Sequence, residues 1–140
     1  MKRVGLIRAG LLFLALASLL VGPWAQFAPH SFWKDFPGFG RAWVSADGPY
    51  NEHLVRDVGG LNLGLAVVAI WALVAGSVLL SRAVGAAALV FGLPHLLYHV
   101  THLDPFETTD ALGNVVALAL TLAAALLALA APARPRDREV

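Results

Sequence analysis

Residues 58–80, 83–100 and 111–131 contain no Asp, Glu, Lys or Arg, and uncharged apolar runs of this length leave few folds open. At about 1.5 Å of rise per residue, each run makes a helix that roughly covers the 30 Å hydrocarbon layer of a bilayer. Lipid offers no partner to a backbone N–H or C=O, so such a run crosses as a helix. A fourth stretch, 5–21, is interrupted by Arg8 near one end. An arginine one turn from the boundary reaches the headgroups along its aliphatic stem, so the stretch remains a span.

The start of the chain has a rival reading. Lys2 and Arg3 ahead of an apolar run also describe a signal peptide. Residues 22–28 hold Pro23, Trp24 and Phe27 where small residues would mark a cleavage site, so an uncleaved first helix is expected.

Composition agrees with a membrane solvent. The 140 residues are 59% hydrophobic and 14% charged, with a mean hydropathy of +0.72. A soluble domain of this size covers itself with more polar surface. The expected fold is all-α: an integral membrane four-helix bundle over residues 1–131, with helices at about 5–27, 54–80, 83–102 and 105–131, and an aromatic-rich extracytoplasmic loop between the first two. Residues 132–140 form a short basic cytoplasmic tail.

The absence of cysteine excludes disulfides, thiolate metal sites and a cysteine nucleophile, and the single methionine excludes a thioether copper site. A net charge of +1, with no basic patch interleaved with aromatics, gives no sign of nucleic-acid binding. Neither a Ser-His-Asp arrangement nor a phosphate-binding glycine loop stands out, so the reading leans away from an enzyme.

Charge sets the expected orientation. With both termini inside, Lys2, Arg3, Arg8, Arg82, Arg134, Arg136 and Arg138 are cytoplasmic, against Lys34, Arg41 and Arg56 outside. Lys and Arg near span ends govern insertion, so both termini are placed in the cytoplasm of a bacterial plasma membrane. Helices two and three are then joined inside by a turn at Ser81-Arg82. Helices three and four are joined outside by Asp104-Pro105-Phe106-Glu107, which reads as a capping box with proline at the first helical position. No internal repeat suggests a transporter.

Residues 24–50 hold eight of the thirteen aromatics: Trp24, Phe27, Phe32, Trp33, Phe36, Phe39, Trp43 and Tyr50. Pro29, Pro37, Gly38, Gly40, Gly48 and Pro49 prevent a continuous helix there. Two readings stand: an anchor lying along the headgroups, or a lid folded over the outer mouth of the bundle.

Beneath that loop lies the candidate site. At about 100° per residue, His95, His99 and His102 share one face of helix three, where Pro94 is expected to kink the axis. Helix four presents Asp104, Glu107, Asp110, Asn114 and Thr121. Helix two opens with His53 and Asp57, on the same face as Gly60 and Gly64, a small-x-x-x-small pair suited to close helix packing within the bundle or in a dimer. Asn62 points away from that face.

Ionisable groups inside a membrane are costly and normally face the bundle interior. His53, Asp57, His95, His99, His102, Glu107 and Asp110 are therefore expected to converge as ligand or metal candidates, with Asn62 and Asn114 as supporting polar groups. Three readings of the cluster remain open. One is a hydrogen-bond network that fixes helix register. The second is a zinc, iron or manganese site, or a haem with axial ligands such as His53 and His99. The third is a proton-handling or quinone-like pocket.

The segment Arg56-Asp57-Val58-Gly59-Gly60-Leu61-Asn62-Leu63-Gly64-Leu65-Ala66 resembles the start of the second helix in DoxX-like four-helix membrane proteins. The resemblance is to an actinobacterial branch in which an aromatic outer loop precedes that segment and a Pro-His-x3-His stretch follows. It covers most of residues 1–131. It implies a compact bundle; some relatives are small subunits associated with quinone-linked oxidoreductases and others assembly or accessory factors, and no catalytic residue carries over to positions of this sequence. The leading expectation is a non-enzymatic bundle that binds a ligand, a membrane-protein partner or a second copy at its His-rich mouth. The alternative is a metal- or haem-binding redox membrane protein.

Overall fold

The computed structural model describes residues 2–132, so most of the basic tail, including Arg134, Arg136 and Arg138, lies outside the described residues. Four long helices dominate: α1 (Lys2–Phe27), α4 (Glu52–Ala75), α5 (Val78–Thr101) and α6 (Thr108–Leu129). Each is long and apolar enough to cross a membrane. Between α1 and α4 lie two short helices, α2 (Pro29–Asp35) and α3 (Trp43–Asp47), and a two-residue hairpin of β1 (Pro37–Gly38) with β2 (Arg41–Ala42). The architecture is an all-α bundle built on these four helices.

The long helices alternate in direction. α1 packs most extensively on α4, and also on α6, which packs in turn on α5; α4 and α5 meet more sparingly. The tight core sits at the end that carries the α4–α5 turn. There Leu11, Leu14 and Ala15 of α1 meet Ala69 and Ala72 of α4, Val84 and Ala88 of α5, and Ala124, Ala125 and Ala128 of α6. Lipid tails are as apolar as leucine, so helices gain by close approach of small side chains rather than by burial from water. Gly85 is the tightest point against α6, where an added Cβ would lie 2.5 Å from Leu129 N and 2.6 Å from Ala125 O. Gly59 of α4 is its counterpart against α1, facing the backbone of Ala25 and Gln26.

The outward surface is studded with large apolar side chains such as Leu16, Val67, Trp71, Val74, Leu79 and Val90, as a lipid-facing wall requires. Arg8 is exposed toward the turn end of α1.

Two boundaries differ from those expected. The α4–α5 turn lies at Gly76-Ser77 rather than Ser81-Arg82. Gly76 closes α4 in the left-handed conformation (φ 60°), and the Ser77 side chain accepts from Leu80 N as the N-cap of α5. Ser81 and Arg82 are therefore within α5, where Arg82 Nε donates to the Ala131 carbonyl at 2.9 Å and ties the start of α5 to the end of α6. Helix α6 begins at Thr108, not Pro105: Glu107 is its N-cap position but its side chain makes no capping bond, and 104–106 form a turn. Past Pro94, α5 continues as one helix, as expected for this span.

Candidate functional site

At the opposite end the aromatic segment lies across the helix ends. Ala25, Phe32 and Val55 are buried at its centre, with Trp24, Trp33, Phe36, Val44 and Tyr50 packed on them. The rings meet mostly edge-on or tilted, for example Trp24 on Phe32 at 5.9 Å and Phe32 on Phe36 at 4.7 Å. Trp33 Nε1 donates to the Gly48 carbonyl at 2.9 Å, closing the segment on itself. The fifth histidine, His30, packs edge-on against Tyr50 at 5.2 Å. Partial burial, followed by the Glu52 carboxylate, raises the Tyr50 hydroxyl above its ordinary titration range.

The segment also reaches the far helices. Asp110 of α6 accepts from Trp43 Nε1 at 2.8 Å and pairs with the Arg41 guanidinium, which also donates to Thr109 Oγ1 at 3.4 Å. The Trp43 ring lies over Gly113, so an added Cβ there would meet Trp43 Cζ2 at 3.1 Å. The Asp47 carboxylate lies within electrostatic reach of both His95 and His99. The segment thus touches α1, α4 and α6.

His95 and His99 stand one turn apart on α5, their Nε2 atoms 3.1 Å from each other. Phe91 flanks His95 at 5.2 Å, and Tyr98 and Phe106 flank His99 at 5.5 and 6.2 Å. Both Nδ1 atoms are buried without a hydrogen-bond partner among the described residues. A buried polar atom left unpaired is costly, so this pair is the least satisfied polar feature of the described bundle. Asn114 of α6 is also buried.

Other expected members of the cluster are placed elsewhere. His53 and Asp57 pair with each other at 3.2 Å with largely exposed side chains, an i,i+4 contact that leaves neither for the mouth. His102 lies past the last residue of α5, stacked on Tyr98 at 4.2 Å with Nδ1 2.9 Å from the Tyr98 carbonyl oxygen. Glu107 is exposed, and Asp110 is engaged by Arg41 and Trp43. Among the described residues no three histidine or carboxylate side chains are placed to hold one metal ion.

Gly60 and Gly64 also fall outside the bundle contacts. An added Cβ at Gly64 would meet nothing within 4 Å, and one at Gly60 only Gln26 Oε1 at 3.5 Å. The closely packed glycine of this helix is their neighbour, Gly59. Asn62 donates to the Val58 carbonyl at 2.9 Å and faces the space between α4 and α5.

Sequence reasoning singled out His95 and His99 by their spacing but missed Arg41, Trp43 and Asp47. The available signal was an arginine and two acids, Asp35 and Asp47, inside an otherwise aromatic loop, opposite an acid in the first turn of α6. No protein-family model, curated protein or solved structure matches the chain.

Proposed function

We propose that this chain is a small multi-pass protein of a bacterial plasma membrane, DoxX-like in kind, that binds a small polar ligand or ion at an outward-facing mouth closed by the aromatic lid. The observation that carries the reading is the His95–His99 pair. Two imidazoles share a close Nε2 contact while both buried Nδ1 atoms lack partners among the described residues. An unsatisfied polar pair is an expensive way to fix helix register and a suitable way to receive a hydrogen-bonding guest.

A second reading has one observation in its favour. Ligand atoms about 2.0–2.1 Å from one tetrahedral zinc-like ion sit about 3.3 Å from each other, a little more than the 3.1 Å between the two Nε2 atoms. An ion held there would take its remaining ligands from water or a guest.

Native mass spectrometry on protein extracted in mild detergent tests the site. A bound small mass is expected in the wild type, lost in the His95→Ala, His99→Ala double variant and kept in His53→Ala. A bare wild type, or a guest retained by the double variant, contradicts the proposal. A transition-metal mass would select the second reading.

The expected orientation, with both termini cytoplasmic, rests on Arg8 and Arg82 at the turn end and on Lys and Arg near the span ends. The cysteine-free chain is a ready background for labelling. An Ala46→Cys variant is expected to react with a membrane-impermeant maleimide on intact cells, and Pro132→Cys, at an exposed position just past α6, only after lysis. The reverse pattern would invert the assignment.

A further inference from the structure

Two cavities outside the histidine site share a wall. The first, about 510 Å³, is lined by Gln26, Arg56, Asp57, Gly60 and Leu61. The second, about 640 Å³, runs between α4 and α5 past Gly64, Leu65 and Val68 on one side and Ala83, Ala87 and Phe91 on the other. Gly60 and Leu61 border both, so a charged pocket at the aromatic end opens into an apolar groove. Eight residues separate Gly60 from Val68, so the groove follows roughly 12 Å of helix toward the bilayer centre. Its floor is open because α4 and α5 meet sparingly and Gly60 and Gly64 present no side chain.

The charges at the top are of both signs. Arg56 donates to Glu52 Oε1 at 2.9 Å and to the Gln26 carbonyl, which leaves part of its five-donor fork free. Asp57 meets His53 through Oδ2, which leaves the other carboxylate oxygen for a cation. A guanidinium beside a carboxylate complements a headgroup that itself carries a phosphate and an ammonium. The nearby Glu52 makes a purely anionic headgroup a poorer match.

We infer that this continuous pocket and groove is a binding site for one zwitterionic phospholipid of the phosphatidylethanolamine type. Its phosphate lies on Arg56, its ammonium on Asp57, and one acyl chain runs over Gly60 and Gly64 between α4 and α5. The groove meets the histidine pair through Phe91, which lines it and flanks His95.

The test is native mass spectrometry of the full chain in detergent micelles titrated with 1-palmitoyl-2-oleoyl-phosphatidylethanolamine (POPE) or its phosphatidylglycerol counterpart (POPG). Wild type is expected to retain one POPE and to favour it severalfold over POPG. Gly64→Leu fills the groove, and because its side chain points into open space, the bundle is expected to fold as before with most of the retained lipid lost. Asp57→Asn removes the ammonium partner without changing shape and is expected to shift preference toward POPG, which a merely structural residue would not do. Equal retention of the two lipids by wild type, or undiminished POPE on Gly64→Leu, overturns the inference. So does a chain dimer that seals the groove without lipid.

Discussion

A Gly85→Val variant is expected to lose about 3 kcal/mol or more of bundle stability, whereas Gly64→Ala should leave it unchanged or raise it by up to about 1 kcal/mol. Both are glycines on membrane-length helices and both gain a small apolar group. They differ in what the new atoms meet. At Gly85 a Cβ would lie 2.5 Å from Leu129 N and 2.6 Å from Ala125 O, backbone atoms that move only if α6 moves. Retreat of α6 would open the contact among Val84, Ala88, Ala125 and Ala128, in a core made largely of small residues with little capacity to refill a gap. At Gly64 nothing lies within 4 Å. Denaturant titration in mixed micelles, followed by tryptophan fluorescence, measures both. A Gly64 variant less stable than the Gly85 variant would mean that the helices pack on different faces.

The second large effect is expected at Asp110. Its Oδ1 receives both the Trp43 indole N–H and the Arg41 guanidinium, so one carboxylate holds the aromatic segment to α6. Replacing it with alanine removes both bonds, leaves the Trp43 donor unpaired and frees the Arg41 side chain. Trypsin cleavage after Arg41 is expected to accelerate severalfold in Asp110→Ala, while cleavage after Lys34, on the far side of the hairpin in α2, serves as the internal reference. Trp43→Phe, which keeps the ring over Gly113 but loses the donor, should fall between the two. An unchanged Arg41 rate in Asp110→Ala would mean that the segment is held by its own aromatic packing alone.

The four helices were legible because uncharged runs of bilayer length have one economical conformation. Their ends were less so. Arg82 suggested a water boundary and drew the turn toward it, but Gly76 and Ser77 carry the local stop and start chemistry, and a long arginine is tolerated one turn inside a helix. Helical periodicity placed Gly60 and Gly64 on one stripe without saying where the neighbouring helix lies; that neighbour faces Gly59. The same limit separates His53 and Asp57 from His95 and His99, since an i,i+4 pair at a helix start satisfies itself before it reaches another helix. The contacts from Trp43 and Arg41 to Asp110 join residues 67 and 69 positions apart and leave no local pattern in the chain.

The proposed function stands or falls on the aromatic segment acting as a lid over the His95–His99 pair. Diethylpyrocarbonate modification of histidines in native membranes, resolved residue by residue by mass spectrometry, tests this in wild type and Asp110→Ala side by side. His53, with a side chain 75% exposed, is expected to react first and equally in both proteins. His95 and His99 are expected to be slow in wild type and to accelerate when the lid is released. Reaction of His95 and His99 at the His53 rate in wild type, or slow reaction that Asp110→Ala does not change, would contradict the lid.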